Sequence, residues 1–393
     1  MHELRLYLAS RFCAATAMTL LRTALLWHVW DLTHSEVLVG TLGLVQVVPA
    51  IGLSLVGGAL ADAVERRRIV QVAQAIAVFF SATLCGITFA GGASIGVLYV
   101  VAACLACCAA FENPARMALL PTLVERESLA RAVTYNSTVQ ALSFATGPAI
   151  AGGLIAVFNV TAAYVAHAVL LLSSVIVLVF VKPRLPATPR AVSWSSMKEG
   201  IHFVVKSPVL LSCMCLDLFA VTFGGAAAML PVYAERILQV GAPGYGLLTG
   251  ALDAGALVMS VVLVRLPNLR RAGPILLATV ALYGLFTISF GLSTSFPLSL
   301  LLYAGCGMAD QVSVVLRQNA VQLSTPDELR GRVSAVNMIF IQASNQLSLV
   351  ESGFVAALVG PVATVVSGGV GVVIVVLAVA VLVPSLRRFE LPK

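Results

Sequence analysis

The chain has 393 residues, of which 60% are hydrophobic and only 10% are charged, and its formal net charge is +7 at pH 7. Soluble domains have about a quarter of their residues charged, so this composition excludes a water-soluble globule. The positive charge follows from the loops described below, and we expect no nucleic-acid binding.

Twelve hydrophobic spans are predicted, each with roughly the 20 apolar residues that cross a bilayer core. They leave no room for a separate soluble domain. The first stretch has spanning length and is followed by no small-residue cleavage site, so we expect a helix there and not a signal peptide. In chain order the spans are 9–30, 37–61, 69–90, 95–115, 133–157, 161–181, 209–233, 244–264, 273–292, 296–317, 333–358 and 361–384.

The distribution of Lys and Arg predicts the topology. Of the 24 such residues, 22 fall on one side of the membrane in this frame. Because cationic loops are retained in the cytoplasm, both termini are expected there. The two exceptions are Arg236, in an outer loop, and Arg22, inside the first span.

A polar stretch at 182–208 divides the spans into six and six. Its prolines favour an extended connector, and residues 193–206 are predicted to form a short amphipathic helix at the membrane interface. We therefore predict an N-terminal six-helix bundle over 1–181, a cytoplasmic linker over 182–208 and a C-terminal six-helix bundle over 209–393. The short segments 127–133 and 327–333 are similar in sequence, which favours two pseudo-symmetric bundles.

The strongest local motif is the segment Gly-Ala-Leu-Ala-Asp-Ala-Val-Glu-Arg-Arg-Arg at 58–68. It resembles the loop signature of the major facilitator superfamily, although Ala63 and Glu65 replace a basic residue and a glycine. The resemblance implies an all-α membrane fold of twelve helices in two pseudo-symmetric bundles, with Asp62 latching an inner gate against helix 11. An ordinary basic loop is the alternative. The residues assigned to the gate from this segment are Gly58, Asp62, Arg66, Arg67 and Arg68.

Other charged residues lie at the predicted inner ends of spans 4 and 10. Glu112 and Arg116 are four residues apart and are expected to form an ion pair on one helix face. Arg317 occupies the corresponding place in span 10. We assign these three residues to the inner gate as well.

A second motif, Gly147-Pro148 followed by Gly152-Gly153 in span 5, resembles the antiporter motif of the same superfamily, with a gap of three residues where two are usual. Proline removes one helical hydrogen bond and glycine permits close packing. The motif favours export by exchange, and a kinked, closely packed helix is the alternative.

The C-terminal third carries the most distinctive segments, Asp310 to Arg317, Thr325 to Asn337 and Ala343 to Gln346. They resemble a bacterial branch of the superfamily that includes the enterobactin exporter and related drug exporters. That resemblance extends over the whole chain and implies an inner-membrane transporter without cofactors. It does not identify the cargo.

Charged groups inside the spans are the candidate mechanism, because an ionised group at mid-bilayer costs ~2.5 kcal/mol or more unless it is paired, hydrated or protonated. We assign Arg22, Asp217 and Asp253 to substrate binding, with the two aspartates as expected partners of Arg22. Proton coupling needs a carboxylate whose surroundings alternate between wet and dry. The candidates for that role, in order, are Asp310, Asp253, Asp217 and Glu351.

These features predict a secondary transporter that exports a small amphipathic metabolite, siderophore or drug in exchange for protons, and for which a monomer suffices. The chain has no nucleotide-binding loop of the G-x-x-x-x-G-K-[ST] kind, so ATP is not the direct energy source. Scattered histidines and the absence of hydrolase motifs argue against an enzyme and a metal site. Nutrient uptake by symport and a non-transporting sensor or scaffold remain the alternatives.

Overall fold

The protein is built almost entirely from helices. A computed structural model describes residues 2–125, 128–182, 194–265 and 271–390, and these ranges contain no β-strand. This confirms the predicted all-α class. The helices are α1 His2–Thr33, α2 Glu36–Ala63, α3 Arg66–Phe89, α4 Ile95–Leu119, α5 Leu129–Val157, α6 Val160–Val179, α7 Trp194–Lys206, α8 Pro208–Gly224, α9 Leu230–Val232, α10 Gly241–Arg265, α11 Ala272–Leu292, α12 Phe296–Leu323, α13 Asp327–Val359, α14 Pro361–Leu382 and α15 Pro384–Arg387.

The long helices follow the predicted spans in order. Within the described ranges, nine of them are long and apolar enough to cross a membrane, and a tenth is counted if α7 and α8 are taken as one bent span. The described apolar part of α2 is Glu36–Pro49, and α13 begins with a strongly polar first turn. The spans predicted over α2 and α13 therefore stay predictions.

The predicted interfacial helix is present as α7, which meets α8 at an angle of 97°. Val204 of α7 is buried against Leu210, Val333 and Val336, whereas Ile201 is 46% exposed. The helix thus packs one apolar side on its neighbours. The rest of the predicted linker, 183–193, lies outside the described residues.

One of the predicted spans is not a continuous helix. The span 209–233 ends as a helix at Gly224 and resumes only at Leu230, followed by a π-helical turn over Tyr233–Ile237. The glycine pair Gly224-Gly225 stands at the break. Gly225 adopts an extended backbone, and a Cβ on Gly224 would lie 2.5 Å from the ring of Tyr283.

The contacts divide the chain into two compact units. The first comprises residues 1–34, 45–192 and 241–250, and the second comprises residues 35–44, 193–240 and 251–393. The predicted boundaries at 181 and 209 stay a prediction. In the first unit α1 packs on α5 and α6 while α3 packs on α4 and α6; in the second, α11 packs on α12 and α14 while α8 packs on α13 and α14.

Candidate functional site

The second unit contains a buried ion pair between Asp217 of α8 and Arg317 of α12. Their side chains are almost fully enclosed, and Arg317 Nη1 donates to Asp217 Oδ1. Buried apolar residues adjoin them on both helices, including Leu216 and Leu316. Removing one partner of such a pair costs about 3–5 kcal/mol because the other charge is left buried alone. Each residue therefore depends on the other.

Asp310 lies beside this pair. It is seven residues before Arg317 on α12 and hence on the same helix face, and it lines a small cavity together with Asp217, Ser313 and Arg317. Arg317 and Asp217 are the charges that act on it. Among the described residues, this charge cluster (Asp217, Asp310, Arg317) thus holds two carboxylates and one guanidinium.

The structure gives Asp217 a partner other than the expected one. Asp217 was expected to pair with Arg22, but its ion pair is with Arg317. Arg317 is buried, with 8% of its surface exposed, and its assignment to the inner gate stays a prediction. Asp217 and Arg317 are 100 positions apart, so no local spacing could have revealed the pair.

Arg22 has a different environment. It is exposed on α1 in the first unit, and its charge acts on Tyr245. The ring of Tyr245 stacks on Trp27 at a centroid distance of 5.4 Å, and its hydroxyl donates to the carbonyl of Thr23 at 3.0 Å. The structure therefore places the guanidinium near a fixed pair of aromatic rings.

The remaining candidate carboxylates lie on α10 and α13. Asp253 is partly buried on α10. Glu351 is partly buried on α13 and accepts a hydrogen bond from Ser352 at 3.3 Å. Ser352 also donates to the carbonyl of Gly225, at 3.0 Å, so Glu351 stands next to the break after α8.

That break is held by hydroxyl groups from two other helices. Tyr283 of α11 donates to the carbonyl of Gly224 at 3.0 Å. Ser348 and Ser352 of α13 both donate to the carbonyl of Gly225. Since the helix ends here, these carbonyls would otherwise lack partners in an apolar environment. No local sequence pattern singles out these three hydroxyls.

In the first unit, the predicted Glu112–Arg116 ion pair is confirmed. Arg116 Nη2 lies 3.0 Å from Glu112 Oε1, and Arg116 is 2% exposed. Glu112 also accepts from Gln74 at 2.9 Å, and Arg116 reaches the hydroxyls of Ser10 and Ser174. Each charged group is therefore matched by a partner. The sequence signal for this network was the polar residues Ser10, Gln74 and Ser174 inside apolar spans, which the analysis did not use.

The basic loop residues bind the ends of two helices. Arg66 donates to the carbonyl of Ala118 at 2.9 Å, Arg67 to that of Val181 at 2.8 Å, and Arg68 pairs with Glu65. The surroundings of Gly58 and of the Asp62 side chain are outside the described part of the structure. The gate latch assigned to this loop stays a prediction.

The glycines of the antiporter-like motif have unequal surroundings. A Cβ on Gly152 would lie 2.6 Å from the Cα of Gly246 in α10, whereas one on Gly153 would meet nothing within 4 Å. Gly147 packs against α1, where a Cβ would lie 2.9 Å from the carbonyl oxygen of Thr16. Pro148 lies inside α5, which continues to Val157. The motif thus contains two close-contact glycines and one open position.

Nothing in the described ranges offers a metal site, since no group of three or more His, Cys, Asp or Glu side chains comes together there. The two carboxylates and the guanidinium of the charge cluster are groups that can form ion pairs and exchange protons.

Comparison with solved structures shows which fold these helices form. A peptide-bound transporter of the POT family covers 98% of this chain and 96% of its own, with a TM-score of 0.75 and 13% identity. A D-xylose–proton symporter covers 95% of both chains, with a TM-score of 0.70 and 14% identity. The fold is that of the major facilitator transporters.

The family follows from the sequence itself. Residues 5–391 match the model of the major facilitator family described as transmembrane secretion effector, so the chain belongs to that family. An enterobactin exporter, EntS, from Shigella boydii serotype 4 is 26% identical over 97% of this chain and 92% of its own length. The protein is therefore a multi-pass membrane transporter, and the resemblance drawn from the motifs is confirmed.

Proposed function

We propose that this protein exports a small amphipathic metabolite, siderophore or drug-like compound across the bacterial inner membrane by alternating access, in exchange for protons. The observation that carries the proposal is the charge cluster of Asp217, Asp310 and Arg317. Both termini lie in the cytoplasm in this proposal, as the Lys and Arg distribution indicates.

The cluster supports proton coupling by its charge balance. Arg317 neutralises one carboxylate through its bond to Asp217, and Asp310 remains as a second carboxylate in the same apolar surroundings. Removal from water favours the protonated form of a carboxylate, and Arg317 is already bonded to the other one. When the site opens to water the proton can leave, and Asp310 thereby carries protons in step with the conformational cycle.

The buried charges of the first unit are better suited to stabilising the structure than to carrying protons. Glu112 is paired with Arg116 and accepts from Gln74, and Arg116 also reaches Ser10 and Ser174. Arg11 adds a second guanidinium nearby. Because no carboxylate exceeds the cations, this network stabilises the helices around it. The asymmetry between the two units favours Asp310 over Glu112 as the proton carrier.

The cargo assignment is supported by two observations. The relatives matched along nearly the whole chain are named enterobactin exporters, and Arg22 lies near the stacked rings of Trp27 and Tyr245. A guanidinium beside aromatic faces suits a molecule with an anionic group and a flat apolar part. We assign Arg22 and Asp253 to substrate binding and the loop of Asp62 to the inner gate.

The proposal is tested by flux in everted membrane vesicles whose lumen is acidified, with iron-free enterobactin and ethidium as cargo. Proton exchange is expected to concentrate one of them in the lumen, and a protonophore should abolish the accumulation. Faster release of preloaded cargo from an acid lumen would instead indicate symport. A protein that inserts normally but moves neither compound under any gradient would count against the proposed cargo class.

Replacement of Arg22 by alanine is expected to abolish accumulation of the anionic cargo, because the exposed guanidinium supplies its counter-charge. Arg22→Lys should retain part of the activity, since it keeps the charge and loses only the planar fork. Arg388→Ala is the matched control, because Arg388 is an exposed cation after α15 and lies outside the proposed binding site and gate. Full accumulation by a normally expressed Arg22→Ala protein would remove Arg22 from the binding site.

A further inference from the structure

The charge cluster encloses a space that its own side chains do not fill. A cavity of about 10 Å³ lies between α8, α11 and α12. Roughly 10–15 Å³ of such volume is the minimum that admits one water molecule, so the cavity has room for one water and none for an organic cargo. Its polar lining consists of Asp217, Tyr283, Asp310, Ser313 and Arg317.

Ser313 indicates what kind of molecule the cavity can hold. Its side chain is 1% exposed, and its Oγ has no hydrogen-bond partner within the described part of the chain. Buried serine and threonine hydroxyls on helices usually donate to the carbonyl of the preceding turn, as Thr279 and Ser260 do here. An unsatisfied buried polar group costs about 1–3 kcal/mol. The hydroxyl is therefore available to a partner other than protein, and unlike the other buried hydroxyls of this kind it lines the cavity of the charge cluster.

The position of Ser313 connects that partner to the charges. It lies three residues after Asp310 and four before Arg317, so all three side chains are on one face of α12. An apolar occupant would leave the hydroxyl and the carboxylate unsatisfied, whereas a water molecule makes about three hydrogen bonds in such a site.

From this geometry we infer that the cavity holds one ordered water, which bridges Ser313 Oγ to the Asp310 carboxylate and delivers the transported proton. This inference rests on the proposed function. A proton that reaches the water as hydronium passes to a carboxylate oxygen of Asp310, forming the carboxyl O–H bond as the hydronium O–H bond breaks. The water is left neutral. Ser313 is a positioning residue that holds the water and is itself unchanged.

The test uses the purified full chain in lipid nanodiscs and requires no cargo. Infrared difference spectra between acidic and neutral pH are recorded in ordinary water and in water labelled with heavy oxygen. The wild type is expected to show a carboxyl band that Asp310→Asn removes, together with a water band that shifts with the heavy label. The rate of proton uptake by the carboxyl after a pH jump is measured in parallel.

Ser313→Val supplies the decisive comparison, because its side chain has no hydroxyl to hold the water, whereas threonine has nearly the same volume and keeps the hydroxyl. It is expected to lose the label-sensitive water band and to slow proton uptake by Asp310 on the order of tenfold or more. Ser313→Thr keeps the hydroxyl and should keep both. Ser289→Ala is the control on α11, where the hydroxyl donates to the carbonyl of Leu285.

The outcomes distinguish failure of the ordered-water inference from failure of the proposed function. A wild-type protein without the label-sensitive band, or with a band that moves on addition of Na⁺ at constant pH, overturns the ordered water. Persistence of that band in Ser313→Val does the same. If the water band is present but no carboxyl band belongs to Asp310, the water stands and the assignment of Asp310 as proton carrier fails. The wild-type measurement decides the matter even if Ser313→Val does not fold.

Discussion

Replacement of Asp310 by asparagine is expected to abolish accumulation of cargo driven by a pH gradient, while exchange of cargo at equal pH continues. Asparagine keeps the size of the side chain and cannot bind or release a proton. Asp217 would remain bonded to Arg317, so the ion pair and the packing of α8 on α12 should persist. The gradient-driven flux should fall on the order of tenfold or more, since the favoured protonation state of a buried carboxylate is worth ~2.5 kcal/mol or more.

The measurement is accumulation of labelled cargo in everted vesicles, compared with counterflow in vesicles without a gradient. Glu390→Gln is the matched control, because Glu390 is an exposed carboxylate after α15. A variant Asp310→Asn that accumulates cargo at the wild-type rate would move the proton-carrying role to another carboxylate. Loss of both accumulation and counterflow would indicate a structural role for Asp310.

Replacement of Gly152 by alanine is expected to impair transport severely, whereas the same change at the adjacent Gly153 should have almost no effect. The methyl group at 152 would lie 2.6 Å from the Cα of Gly246 and 2.9 Å from the carbonyl oxygen of Ala242. Both contacts are backbone atoms of α10, so α5 and α10 must separate. Forcing extra volume into a packed interface typically costs about 1–3 kcal/mol.

Gly153 provides an unusually close control, since it is the next residue on the same helix and nothing lies within 4 Å of its added Cβ. Alanine there should raise helix stability by up to ~1 kcal/mol through its higher propensity. Transport rate and thermal unfolding in detergent measure the two variants. Equal behaviour of Gly152→Ala and Gly153→Ala would show that the close contact has no role in the transport cycle.

Local patterns predicted the features that depend on neighbouring residues. Hydrophobic runs located the helices to within a few residues in most cases, because an apolar stretch of spanning length has few alternatives in a bilayer. The spacing of four between Glu112 and Arg116 predicted their ion pair, since residues one helical turn apart face each other. The loop motif at 58–68, the glycine motif of span 5 and the segments of the C-terminal third carried the family resemblance, which the match over residues 5–391 confirms.

Features that depend on packing between distant segments were missed. The Asp217–Arg317 pair joins α8 to α12 across 100 positions, and Arg22 was chosen as a partner because it is the one basic residue deep inside a predicted span. The break after Gly224 was missed because a Gly-Gly pair also occurs in continuous helices. What decides it is three hydroxyls on α11 and α13, whose positions relative to Gly225 the sequence does not reveal.

The break after α8 also has a consequence for how the second unit can move. The carbonyls of Gly224 and Gly225 are bonded to Tyr283, Ser348 and Ser352, so the shape of this backbone is set by α11 and α13 and not by α8 alone. Any sliding or rotation of α13 must stretch or exchange the two serine bonds. Unwinding at this point and displacement of α13 are therefore a single coupled motion, and Glu351, adjacent to Ser352, is carried with it.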